Sequence, residues 1–181
     1  VVADRSGVHL VGSRRGIEVD LVPPTGFGLT VLPGRGIQRR LTPANLAAAT
    51  GLLLAVVRAL VLVARRRPSV VVSLGGYASV PCVVAAAVLR VPVVVAEQNA
   101  VPGAANRLAG RFARACAVSF PDTDLPRSTV TGNPVRGAIR EVAEADDRAT
   151  RRAEARAALD VDDRPFVVVF GGSLGARRIN R

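Results

Sequence analysis

Residues 91–99 read Val-Pro-Val-Val-Val-Ala-Glu-Gln-Asn. Six apolar residues, four of them valine, run without alternation into three polar ones. A short β-branched run of this kind reads as a strand buried on both faces, as in a parallel sheet, because a strand with one wet face alternates apolar and polar. The flanks agree. Val80–Leu89 before it and Ala104–Ala113 after it are alanine-rich helix candidates.

Working outward, the same alternation repeats. Strands are expected at Val8–Val11, Leu29–Leu32, Ser69–Leu74, Ala115–Ser119 and Phe166–Phe170. Helices are expected after Ser13, over residues 43–66 and over Arg148–Leu159. Pro43 suits a first helical turn, and Arg65-Arg66-Arg67-Pro68 ends that helix with cations and a breaker. Apolar strands spaced by helices predict an α/β fold, a parallel sheet covered on both faces. Prolines 121, 126 and 134, followed by the first dense acids, place a domain boundary near Gly132–Arg136. The two expected domains are residues 1–135 and 136–181. The opening Val1-Val2-Ala3-Asp4 reads like the middle of a helix, so the expectation is a chain cut at both ends, with no signal peptide visible.

Length and composition bound the function. The 181 residues are 49% apolar, enough for a core. All 25 basic residues are arginine, against 14 acids. The excess lies in the middle: residues 35–116 hold eleven arginines and one acid, Glu97. One sign of charge there suits an anionic partner or, equally, a solvated face. The stretch Gly51–Ala64 is fourteen residues long and carries Arg58, whereas a membrane span needs about 20 apolar residues. It reads as a crossover helix packed on the core, with an interfacial lipid role as the alternative. Cys82 and Cys116, both in apolar stretches, are expected to be reduced core thiols of a cytosolic protein, and a lone His9 argues against a zinc site.

Open parallel sheets bind ligands beyond the C-terminal ends of their strands. Four such ends stand out. Ser73-Leu74-Gly75-Gly76-Tyr77 brings paired glycines to a helix start, which favours anions, although a tight turn alone explains them. Ala96-Glu97-Gln98-Asn99 places three polar side chains after a buried strand, as a site or as a helix cap by Asn99. Thr131-Gly132-Asn133-Pro134-Val135-Arg136 is explained by turn chemistry, with Arg136 either reaching a phosphate or simply solvated. Gly171-Gly172-Ser173-Leu174-Gly175 follows the last strand as a phosphate cradle. It lacks the ending of a nucleotide-hydrolysing P-loop and is not a nicotinamide fingerprint.

Taken together, S-L-G-G-Y-A-S-V-P from Ser73, V-V-V-A-E-Q-N-A-V-P-G-A-A-N-R from Val93, F-P-D-T from Phe120, T-G-N-P-V-R from Thr131 and F-G-G-S-L-G-A-R-R-I-N from Phe170 resemble the MurG family of bacterial peptidoglycan glycosyltransferases, as does G-S-R-R-G-I-E-V-D-L-V-P from Gly12. The resemblance implies a GT-B architecture of two Rossmann-like, doubly wound domains facing a cleft. It implies inverting transfer of N-acetylglucosamine from UDP-N-acetylglucosamine to undecaprenyl-pyrophosphoryl-N-acetylmuramoyl-pentapeptide, without metal or organic cofactor. The N-terminal domain would meet the lipid acceptor at the anionic cytoplasmic membrane face, as a peripheral protein. The C-terminal domain would hold the UDP-sugar.

By position, the resemblance assigns Asn99, Arg136 and Ser173 to substrate binding. Gly75, Gly76, Tyr77, Glu97, Gln98, Gly171, Gly172 and Gly175 would frame acceptor and phosphates. Ala96 stands where the family usually has His, and Leu174 where it usually has Gln. The family's first strand, its G-G-T-x-G-H loop and the histidine usually assigned to activating the acceptor would precede Val1, so the chain alone is expected to be catalytically silent. A diacylglycerol glycosyltransferase would share the glycine loops. An arginine-rich nucleic-acid module is the reading from another class, and 3% aromatic content leaves it few stacking platforms, so no nucleic acid is expected.

Overall fold

The computed structural model describes residues 7–14, 16–33, 43–162 and 164–167, with backbone only over 43–49. Valine-rich runs form strands and alanine-rich runs form helices, as β-branching and helix propensity direct. Strand β1 (His9–Ser13) pairs in parallel with β2 (Gly28–Leu32), through a short helix α1 (Glu18–Leu21) and a 3-10 turn at Pro23–Thr25. His9 lies opposite Gly28, where a Cβ would come within 2.7 Å of its ring, so the missing side chain makes room for the imidazole. Helix α2 (Pro43–Arg66) leads to a four-stranded parallel sheet in the order β3 (Val71–Ser73), β4 (Val93–Glu97), β5 (Ala115–Val118), β6 (Ser128–Val130). Helices α3 (Ser79–Val88) and α4 (Ala104–Phe112) make its crossovers.

The β1–β2 pair has a helix on each face. Val11 of β1 packs into the cluster beneath α2, formed by Leu32, Ala55, Ala59, Val63, Cys82 and Ala85. Its neighbour Gly12 turns toward Glu18 of α1. Successive strand residues face opposite ways, so α1 and α2 lie on opposite faces, the doubly wound arrangement. A second cluster joins Val83 and Ala86 of α3, Ala109 and Ala113 at α4, and Val93, Val95, Cys116 and Val118 of the sheet.

Four local features differ from the sequence expectation. The strand expected over Ser69–Leu74 is only Val71–Ser73, and one face of it is open: Val72 is 56% exposed. Helices α3 and α4 both cover the other face. The short polar strand β6 and the helix α5 (Gly137–Ala143) were not expected. The register with β5 defines β6, and α5 starts directly after the turn expected over Thr131–Arg136. Phe166 and Val167 belong to no strand, and the rest of the strand expected over residues 166–170 lies outside the described residues.

The chain divides into two compact units, Val1–Asn133 and Pro134–Arg181. The described part of the second carries α5 and α6 (Arg148–Ala158), both solvent-facing. There Arg151 donates to Asp147 at 2.9 Å, one helical turn away.

Candidate functional site

Because β3, β4 and β5 are parallel, their C-terminal ends share one edge of the sheet. After β3 the chain takes two consecutive left-handed residues, Gly75 at φ +87° and Gly76 at φ +80°. Only glycine holds this geometry cheaply, and it leaves backbone amides open to an anion. Tyr77 follows, and its hydroxyl donates to the Pro33 carbonyl at 3.2 Å, tying this loop to the end of β2. Burial raises the Tyr77 pKa.

After β4 the chain turns around Glu97, whose side chain folds inward and is 4% exposed. One carboxylate oxygen accepts from the Asn99 backbone amide at 2.9 Å and the Asn99 side-chain amide at 2.8 Å. The other accepts from the Gly103 amide at 3.1 Å and from Asn106 Nδ2 at 3.0 Å. Desolvation pushes the Glu97 pKa up, but the hydrogen bonds from Asn99, Asn106 and Gly103 outweigh it and hold the net value below the ordinary carboxylate range. Gly103 is the N-cap of α4, so the helix dipole also favours the anion. Thr123, buried in the loop after β5, donates to the Asn99 carbonyl at 3.5 Å and closes the turn from the far side.

Gly75, Gly76, Tyr77, Glu97, Gln98 and Asn99 therefore sit in two adjacent loops of one edge. Asn99 and Gln98 are exposed there. Arg136 is exposed in the second unit, where its carbonyl accepts from the amides of Ile139 and Arg140 at the start of α5. Ser173, Gly171, Gly172, Gly175 and Leu174 lie outside the described residues. Sequence reasoning had Ser73 in the first candidate loop but missed Asn106 and the buried polar pair they form beneath the loops: Ser73 Oγ donates to Asn106 Oδ1 at 2.9 Å. The available signal was an asparagine within an alanine-rich helical run. His9 begins β1 at the opposite edge and bonds Thr30 at 2.7 Å. Burial, with the charge of Arg66, lowers its pKa.

A shallow depression lined by Arg90, Val91, Pro92, Phe112 and Arg114 also lies at that opposite edge. Cys82 and Cys116 are buried free thiols. Burial pushes Cys82 up to about 11 and raises Cys116 as well, which makes both poor nucleophiles. Among the described residues no cluster of three or more His, Cys, Asp or Glu could hold a metal ion, and no helix is long and apolar enough to cross a membrane.

This arrangement has known counterparts. A relative from Nocardioides sp. is 47% identical over 176 residues, which cover 96% of this chain and 47% of the relative. One from Streptomyces coelicolor is 40% identical over the same shares. Both are named UDP-N-acetylglucosamine–N-acetylmuramyl-(pentapeptide) pyrophosphoryl-undecaprenol N-acetylglucosamine transferase. The chain thus spans about half the length of the curated relatives it matches. The crystal structure of MurG from Acinetobacter baumannii superposes with a TM-score of 0.56 at 26% identity, over 73% of this chain and 38% of that one. The glycosyltransferase family 28 N-terminal domain matches residues 2–118, which hold both loops of the rim, and the chain belongs to that family.

Proposed function

We propose that the chain forms the acceptor-side lobe, and the beginning of the donor-side lobe, of an inverting N-acetylglucosaminyltransferase. The enzyme moves N-acetylglucosamine from its UDP donor to undecaprenyl-pyrophosphoryl-N-acetylmuramoyl-pentapeptide. The observation that carries this reading is the pair of loops on one sheet edge, open glycine amides beside an asparagine braced on an ionised glutamate. Diphosphate oxygens suit the Gly75–Gly76 amides. Asn99 spends a side-chain N–H on Glu97, which only accepts, so its oxygen remains to take a hydrogen bond from a sugar hydroxyl or amide. Arg136 and Ser173 serve the UDP-sugar from the second unit.

In the reaction the acceptor hydroxyl gives its proton to a general base and attacks the anomeric carbon as its bond to UDP breaks, so that UDP leaves with the bonding electron pair and the configuration inverts. Glu97 does not take the proton: four N–H donors hold it buried and ionised. Its role is to orient the loop.

The lobe rests on the anionic cytoplasmic face of the membrane. Ala55, Ala59 and Val63 form the inward stripe of α2, while Leu53, Leu54, Val57 and Val61 remain exposed beside Arg58. Val88, Leu89 and Phe112 add exposed apolar surface next to Arg90 and Arg111. Apolar side chains that enter lipid among cations that meet headgroups are what an interfacial surface requires.

The test is equilibrium binding of the chain to nanodiscs of fixed anionic content, with and without undecaprenyl-pyrophosphoryl-N-acetylmuramoyl-pentapeptide. Acceptor-dependent retention that Asn99→Ala weakens is the expected result. Retention set by lipid charge alone would discard the acceptor assignment and keep only the membrane surface. Retention by neither would discard both.

A further inference from the structure

Asn106 belongs to none of the ligand-facing loops, yet it touches the supports of both. It stands in the first turn of α4 and is 2% exposed. Its Nδ2 donates to Glu97 Oε2 at 3.0 Å and to the Ala96 carbonyl at 3.3 Å, at the end of β4. Its Oδ1 accepts from Ser73 at the end of β3. Above it lies Gly75: a Cβ built there would come within 3.3 Å of Asn106 Nδ2, so the loop rests directly on this amide. Both side-chain N–H groups donate and the oxygen accepts one bond, and the partners lie 33, 10 and 9 residues away in sequence. Glu97 extends the chain of bonds to Asn99 and Gly103.

We propose that Asn106 is a positioning residue that couples the Gly75 loop to the Asn99 loop, so that the two present their groups to a ligand as one unit. Leucine has the branching and heavy-atom count of asparagine and none of its hydrogen bonds, whereas Ser73 or Glu97 alone reaches only one loop. The amide is the group that both donates to the β4 side and accepts from the β3 side. The inference rests on the proposed function only for its purpose; the coupling itself is a property of the free chain.

The experiment is amide hydrogen exchange by NMR on the chain, corrected for intrinsic pH dependence, without ligand. The reporters are Asn99 and Gly103 N–H, which donate to Glu97, and Val80 N–H, which donates to the Tyr77 carbonyl at 3.3 Å. Asn106→Leu is expected to speed exchange at all three by roughly tenfold or more, the loss expected for hydrogen bonds to a charged group, while β5 amides keep their rates. Ser73→Ala, which cuts one arm only, is expected to speed Val80 and leave Gly103 slow.

Asn106→Asp preserves shape and tests chemistry. Glu97 is the one titratable partner bonded to residue 106, so two carboxylates would face each other there. Fast exchange in both loops at neutral pH, slowing on acidification as one proton is shared, is the expected signature. Facing carboxylates disturb Glu97 whether or not residue 106 couples the loops, so fast exchange confined to the Asn99 loop, with Val80 N–H as slow as in the wild type, would overturn the proposal. So would Asn106→Leu that frees the Asn99 loop and leaves Val80 protected. Should Asn106→Leu fail to fold, Asn106→Asp and Ser73→Ala decide alone. Coupled loops in a chain that ignores the lipid acceptor would count against the functional reading only. Uncoupled loops in a chain that binds it would count against this inference only.

Discussion

Glu97 at the rim and Asp147 in the second unit are both acids at the mouth of a helix, and they are held in opposite ways. Glu97 is buried and takes four hydrogen bonds from amides, none from an arginine. Asp147 lies in solvent, makes no side-chain cap bond and pairs with Arg151. The ion pairs among the described residues, Arg151–Asp147 and Arg164–Asp162, both belong to the second unit. The eight described arginines of residues 35–116 thus form no ion pair with Glu97, the one acid of that stretch. Backbone and side-chain amides ionise Glu97 without surrendering positive charge, and the arginines are left to project their field outward.

The sharpest way to break this contrast is to delete the buried acid. Glu97→Leu strands the Asn99, Gly103 and Asn106 N–H groups out of water and is expected to cost about 3–5 kcal/mol, read as a lower urea midpoint at unchanged slope. A cost under about 1 kcal/mol would mean water replaces the carboxylate, and the rim is not organised by it. The pH dependence must follow. The folded pKa of Glu97 lies below its unfolded value of about 4.3. Its contribution is thus complete above that pH and drains as pH falls through the folded value, since the unfolded chain takes the proton first. Glu97→Gln should flatten this acid limb. His9, with a lowered pKa, acts in a separate window: its stability also falls with pH, but starting from about 6.5.

A smaller effect tests whether arginines in this unit have structural work of their own. Arg127 holds a left-handed backbone at φ +52°, and its guanidinium donates to the carbonyls of Ala113 at 2.8 Å and Gly110 at 2.9 Å, closing the end of α4. Arg127→Ala is expected to cost about 1–2 kcal/mol in the same urea experiment, with Arg127→Lys recovering only part because one ammonium cannot match the fork. Full recovery by lysine would reduce Arg127 to a simple charge. Next comes Gly75→Ala. The left-handed φ costs about 1–2 kcal/mol, and the new methyl meets Asn106. Gly76→Ala carries the same strain into open space, so it should be the milder of the two.

The parts of the molecule written locally were legible. An unbroken valine run marked β4, the apolar stretch Ala115–Val118 marked β5, Pro43 and the Arg65–Arg67 cluster bracketed α2, and Glu97-Gln98-Asn99 marked a rim. What escaped reading depends on distant partners. Nothing near Asn106 announces that Ser73 will meet it, and nothing near Glu97 tells whether it faces solvent or turns inward. The open Val72 face of β3 is likewise invisible in a run of three valines, because burial on the second face is decided by which helices arrive there. Strand β6, three residues with a serine and a threonine, exists only through its pairing with β5.

The mildest prediction completes the comparison from the other side. Arg151 and Asp147 are 47% and 57% exposed, and a pair one turn apart on an open helix gains little Coulomb energy in water. Arg151→Ala should change stability by less than about 0.5 kcal/mol, and raising the salt should erase even that within the Debye length of about 3 Å reached at 1 M. Glu97→Leu should lose nearly the same stability at both salt concentrations, because its partners are fixed dipoles screened from ions by burial. A salt-insensitive Arg151, or a salt-sensitive Glu97, would show that position in the fold does not separate the two kinds of acid. Charge in this chain would then have to be counted residue by residue, without the division between a buried anion that shapes a rim and exposed pairs that only dress a helix.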